Sequence, residues 1–281
     1  MLKLVGLSTL ALLGAAAAVA AVLHAGDTAQ RDRVRAALLA LRDPAPPRYD
    51  PAMTAALPDI AQRYFARAIA PGTPLHRTVS LEMEGTFILN GKSLPMQARQ
   101  VLASPAAGFV WAARIGTGAM TFAGSDGALT TGTTPESWTK FRLRGLIPLV
   151  RTGGTADHAR AAATRVMLES VWAPAALLPQ NGATWVQTGP DSATVSFAAT
   201  PDLPPMHLQL DAGGDPVALW AMRWTDANPD KVYRLQPFGG RVLATATFGG
   251  FRIPSKVELG NFWGSPDYAP FFLATVTAAS Y

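Results

Sequence analysis

"HRTVSLEMEGTFILNGKSLPMQARQVLAS", residues 76–104, decides how the rest of the chain reads. Val79, Leu81 and Met83 alternate with Ser80, Glu82 and Glu84, the period of two expected of a strand with one face buried. Asn90-Gly91 supplies the pair that a two-residue hairpin turn demands, and Lys92–Ser104 returns as the partner strand. Glu82 and Glu84 share a strand face. Paired carboxylates can serve acid–base chemistry, but exposure is the ordinary state of Glu.

The same period continues downstream. Strands are predicted at 109–115, 120–123, 128–131, 137–144, 184–188, 193–198, 206–211, 218–225, 241–248, 252–260 and 271–280, joined by Gly-rich turns. "GSDG" at 124–127 reads as a hairpin turn. In 137–144, Trp138, Lys140, Arg142 and Arg144 face one way and Phe141 and Leu143 the other. Two stretches change to helical period. Leu57, Ile60, Tyr64, Ala68 and Ile69 mark a helix stopped by Pro71-Gly72. Thr155 to Trp172 forms the other, with Thr155 as N-cap and Asp157 in its first turn. The expected class is α+β: one large, curved, half-barrel-like antiparallel sheet of about eleven strands, covered by two or three helices. Such a layer arrangement leaves a groove or cavity between sheet and helices.

Upstream, residues 1–25 read as a membrane or export segment, with the uncharged run "LVGLSTLALLGAAAAVAAVLHAG" from Leu4 to Gly26 after Lys3. Its length suits a transmembrane anchor; a signal peptide cleaved after Ala18-Val19-Ala20 is the competitor. An anchor places the chain in a bacterial cell membrane with the body on the exported side, and cleavage makes it periplasmic or secreted. Lys3 favours that orientation, whereas Arg31, Arg33, Arg35 and Arg42 pull against it. Residues 26–50 read as an amphipathic helix, with Val34, Leu38 and Leu41 on one face, followed by the linker "DPAPPRYDP". Residues 51–281 form one domain.

Composition narrows the chemistry. The chain has 281 residues, 49% hydrophobic and 15% charged, with a net charge of +5. Its basic residues form no block, which argues against nucleic acid as a partner. The absence of cysteine excludes disulfides, thiol catalysis, thiolate metal sites and a lipidated N-terminal Cys. His24, His76, His158 and His207 are isolated from one another, so no metal site and no cofactor is expected. No G-x-S-x-G elbow or Walker-type loop is present.

Three readings of function follow. A binding module would hold an apolar or amphipathic ligand such as lipid, with Trp111, Trp172, Trp185, Trp220 and Trp224 offering broad apolar surfaces that each carry one donor. An enzyme acting on a lipid or envelope component would rely on Glu169, paired with Arg114 or Arg165. Arg165 lies one helical turn before Glu169, and a Glu in a Trp-lined pocket acquires a raised pKa. A structural role in envelope assembly is the third. Candidate ligand-binding residues are Trp111, Arg114, Glu169, Trp172 and Trp185. Lys140, Arg142 and Arg144 are candidates for an anionic surface such as a membrane.

An ordered set of short stretches also resembles a known family. "RYFARAIAPGTPLHRTVSLEMEGTF" at 63–87, "GFVWAARI" at 108–115, "LRGLIPLVRTGG" at 143–154, "ESVWAPAALLP" at 169–179 and "GGFRIPSKVELGNFWG" at 249–264 are similar to the bacterial domain-of-unknown-function family numbered 6544, itself similar to 6920. The resemblance spans roughly residues 55–281. It implies a membrane-associated, β-rich protein and no established activity. The architecture also resembles the half-barrel of Lol-type lipoprotein carriers, whose curved sheet wraps helices and accepts acyl chains.

Overall fold

The hairpin at 76–104 forms from β1 (Thr78–Leu89) and β2 (Lys92–Ala103), paired from Thr78↔Ala103 to Leu89↔Lys92. Asn90 and Gly91 at its tip take φ of 50° and 74°, the left-handed pair such a turn needs. The computed structural model describes residues 2–131 and 135–281, and the side chains of 1–13 and 15–17 fall outside the described ones.

The first helix is α1 (Leu2–Ala40) and the second is α2 (Asp59–Ala68). After the hairpin come β3 (Gly108–Ile115), β4 (Phe122–Leu129), β5 (Glu136–Leu143) and β6 (Ile147–Gly153). Next is α3 (Ala156–Glu169), which runs into short 3-10 turns through Asn181. The chain closes with β7 (Ala183–Gly189), β8 (Ser192–Phe197), β9 (Met206–Leu210), β10 (Pro216–Thr225), β11 (Arg234–Phe248), β12 (Phe251–Asn261) and β13 (Ala269–Ser280). All thirteen strands form one antiparallel sheet, in the order β6-β5-β4-β3-β2-β1-β13-β12-β11-β10-β9-β8-β7. The first and last strands therefore meet at mid-sheet, where β1 pairs β13, and the two edges β6 and β7 do not meet. The sheet is a curved, unclosed half-barrel. Register shifts in β1, β5, β11 and elsewhere supply the local bends that curvature requires.

The two faces do different things. Inward residues such as Leu102, Phe109, Trp111, Leu219 and Phe251 join α2 and α3 in the main core. Helix α3 begins where Thr155 caps it, its hydroxyl accepting from the His158 amide at 3.2 Å. On the outer face, Val34 and Leu38 of α1 sit on Val101, Val110, Leu129 and Trp138 in a second, separate cluster. Val34 and Leu38 are two of the three residues that the helical spacing put on one face; Leu41 takes no part in the contact. That residue lies one position past the helix end and is exposed, because the turn redirects it.

Three further readings needed correction. There are thirteen strands, not eleven. "GSDG" is not a turn but the middle of β4, which runs unbroken from Phe122 to Leu129 and joins the two fragments predicted around it. Glycines suit this place because the neighbouring strand crowds it. A Cβ on Gly127 would meet the Trp138 ring at 2.4 Å, and one on Gly124 would meet the Lys140 carbonyl oxygen at 2.0 Å. Strand β6 escaped prediction because Pro148 interrupts its pattern; an edge strand accommodates proline readily, and β6 is an edge.

The expected anchor rests largely on residues 1–13 and 15–17, whose side chains fall outside the described ones. Among the described residues, no helix is long and apolar enough to cross a membrane. The backbone from Leu2 to Ala40 is one continuous helix, and Val19 and Val22 on it are 59% and 72% exposed.

Candidate functional site

Inside the curve, between the sheet and α3, lies a cavity of about 400 Å³. That falls in the size range of small-molecule sites. Strands from both halves of the sheet wall it: Phe87 of β1, Trp111 and Ile115 of β3, Phe141 of β5, Phe238 of β11, Leu259 of β12, and Phe271 and Phe272 of β13. Aromatic rings contact one another around the wall. Phe87 lies 5.6 Å from Phe271, and Trp111 lies 6.0 and 6.1 Å from Phe141 and Phe272. Alternation puts most of these residues on one face, and the register shift opposite Leu259 and Gly260 lets the neighbours Phe271 and Phe272 both line the cavity; curvature then converges them.

One part of the lining is polar. Helix α3 projects Arg165 and Glu169, one turn apart, against β2, β3 and β4. Arg165 Nε donates to Glu169 at 2.5 Å and its Nη1 donates to Asp126 of β4 at 2.6 Å. Gln100 of β2 donates to the second Glu169 oxygen at 2.5 Å. The Arg165 guanidinium also stacks over Phe109 and Trp111, at 4.2 and 5.4 Å from their ring centres. Burial works against its charge, but Glu169 and Asp126 more than offset that and hold its pKa above the ordinary value. Asp126 further accepts from Thr139, whose hydroxyl meets His158 Nε2 at 3.1 Å. Burial pushes the His158 pKa below the ordinary histidine value, against the opposing charge of Asp126.

Arg223 of β10 completes the polar lining. Its Nε donates to the Ala161 carbonyl at 3.4 Å and its guanidinium lies 4.8 Å from the Phe238 ring centre. Among the described residues it has no carboxylate in contact. Burial, and then the charge on Arg165, press its pKa below the ordinary arginine value.

The residues singled out from sequence divide. Trp111, Glu169 and Trp172 line the cavity. Trp172 donates to the Pro254 carbonyl at 3.0 Å, which fixes its indole at the base of β12. Trp185 lies elsewhere in the core, donating to the Leu177 carbonyl at 2.8 Å and packing 5.4 Å from Tyr64 and 5.5 Å from Phe65. Arg114 is exposed on the outer face, because the inward positions of β3 are 109, 111, 113 and 115. Trp220 stacks on His207, and Trp224 donates to Asp157, both away from the cavity. Glu82 and Glu84 are exposed.

Lys140 and Arg142 do not form an open basic surface. They lie beneath α1, where Asp27 pairs with Lys140 at 2.9 Å, with Arg151 at 2.5 Å and with Arg142. Arg142 is 7% exposed. Burial pushes the Asp27 carboxyl up, and Arg151 and Lys140 outweigh that to hold it below the ordinary value. Arg144 occupies the β5–β6 turn at φ 52°.

Asp126, Gln100 and Arg223 were not singled out from sequence. Asp126 was hidden in the supposed turn. Arg223 left a legible signal: it occupies an inward position of β10 after Leu219 and Ala221, where a lone charge needs a reason. Among the described residues no group of three His, Cys, Asp or Glu could hold a metal ion.

A family model described as "Family of unknown function (DUF6544)" matches residues 47–272. No curated protein matches the chain. Among solved structures, one similar chain is described as an outer membrane lipoprotein-sorting protein domain from Vibrio parahaemolyticus. It has 10% identity and a TM-score of 0.42, covering 79% of this chain and 90% of that one. Another is a DUF1329 family protein from Desulfovibrio piger, at 8% identity and a TM-score of 0.44, with the same coverage.

Proposed function

The chain belongs to DUF6544, a family of unknown function, and from that premise we propose that it is a binding protein. Its ligand is one apolar or amphipathic molecule, such as a lipid, held in the cavity between sheet and α3. The observation that carries this reading is the cavity itself: about 400 Å³ walled by aromatic and aliphatic side chains. Each methylene transferred from water into such a wall contributes about 0.8 kcal/mol, so an acyl chain gains affinity with length. Exposed Val19 and Val22 on α1 accord with an apolar environment for the N-terminal segment. An exported, envelope location is part of the proposal and rests on the apolar N-terminal run.

The arrangement of Glu169 favours binding over catalysis. Both of its oxygens already accept from the protein, one from Arg165 and one from Gln100. A general acid–base carboxyl needs an oxygen within reach of a substrate proton, and here Arg165 or Gln100 would have to move first.

The test is native mass spectrometry of the full chain after gentle detergent extraction, followed by incubation with a lipid extract. The proposal expects one ligand per chain, carried through purification or acquired from the extract. A chain that stays empty throughout rules it out.

A further inference from the structure

Arg223 is the group in the cavity that the binding reading leaves without work. Each nitrogen of Arg165 has a protein partner, Asp126 on Nη1, Glu169 on Nε and Gln100 on Nη2. Arg223 spends only its Nε, on a backbone carbonyl. Among the described residues neither of its terminal nitrogens has a hydrogen-bond partner, and the side chain lines the cavity. A guanidinium presents paired donors in a plane, matching the two oxygens of a carboxylate.

The lining has a direction. Its polar residues, Asp126, Thr139, Arg165, Glu169 and Arg223, gather at α3. Its solvent-exposed ones, Leu89, Leu149 and Val150, lie at the β1–β2 tip and on edge strand β6 and mark the mouth. The aromatic wall lies between. The charges lining the cavity balance, two guanidiniums against two carboxylates, and both carboxylates are engaged by Arg165. Recognition at Arg223 is therefore a matter of direct contact.

We propose that the cavity selects a single-chain aliphatic carboxylate, with its head on the Arg223 guanidinium and its chain running along the aromatic wall toward Leu89 and Leu149. This deepens the binding reading and depends on it.

Hexadecanoate, its methyl ester and hexadecylamine, each titrated below its aggregation threshold into the full chain, separate the two. Quenching of intrinsic fluorescence reports occupancy, since Trp111 and Trp172 line the cavity. A hydrogen-bonded charged head predicts that the acid binds about tenfold or more tighter than the ester. Arg223→Gln should bring the acid to the level of the ester. Arg223→Lys should retain part of the preference. A thermal melt checks that each variant is folded, and the wild-type acid-to-ester ratio needs no variant at all. Equal affinity for acid and ester, or tightest binding of the amine, overturns the assignment to Arg223 while leaving an apolar site. Saturable binding of none of the three overturns the binding reading itself, and this inference with it.

Discussion

Glu169, Arg165 and Asp126 show how a site and a fold share residues. Each carboxylate holds one edge of the same guanidinium, and that guanidinium lies on Phe109 and Trp111. Removing Glu169 leaves Arg165 with Asp126 as its one carboxylate and Gln100 without its acceptor, at a cost of about 1–3 kcal/mol. Glu169→Ala should therefore lower the urea midpoint by a corresponding amount; an unchanged midpoint would show that Arg165 reaches water. Gly127 carries a different constraint. Alanine there pushes a methyl into the Trp138 ring, which is buried and hydrogen-bonded to Ser125 at 3.0 Å and so cannot move aside. Gly127→Ala should cost about 1–3 kcal/mol, read as a lowered melting temperature. An unaffected melt would mean that β4 can shift away from β5.

Helix α1 is the element whose role the sequence only half revealed. Its apolar stripe, Val34, Leu38 and Leu41, was legible, but not the surface that covers it. The structure puts it on the outside of β2–β5, with Asp27 gathering Lys140, Arg142 and Arg151. Asp27 is held below its ordinary pKa in the folded state. Its contribution to stability is then complete above the unfolded value of about 3.9 and is lost as pH falls through the lower folded value. Asp27→Asn should melt below the wild type at neutral pH, and the gap should shrink as the pH drops below about 4. A gap that stays constant with pH would mean that the ion pairs do not hold α1 in place. Strand β5 links this contact to the cavity, since Lys140 and Arg142 face α1 while Thr139 and Phe141 face inward.

At the scale of the whole molecule, the alternating pattern was enough to read an open antiparallel sheet covered by helices, because a strand's period of two survives in sequence wherever one face is buried. The 3.6-residue stripes placed α2 and α3 for the same reason. What did not survive was context. Gly and Asp signal a turn by their backbone freedom, yet in β4 the glycines answer crowding from β5 and the aspartate answers a cation on α3. Pro148 reads as a strand breaker until its strand is known to be an edge. Trp111, Glu169 and Trp172 reached the cavity as the sequence suggested. Arg114 went to the other face by a shift of one position, and Arg223 went unnoticed among apolar neighbours. The shape of the sheet turns these local facts into an enclosed apolar volume, and that volume is the basis of the proposed function.

The most direct test fills the volume. Val257 of β12 is buried and lines the cavity, so Val257→Trp should occupy the space an acyl chain would take. Binding of an environment-sensitive fluorescent acyl probe to wild type and variant, with thermal melts to confirm that both are folded, decides the matter. The account predicts saturable binding at one probe per chain in the wild type and its loss in the folded variant. Equal binding by both, or no saturable binding by the wild type, would contradict it.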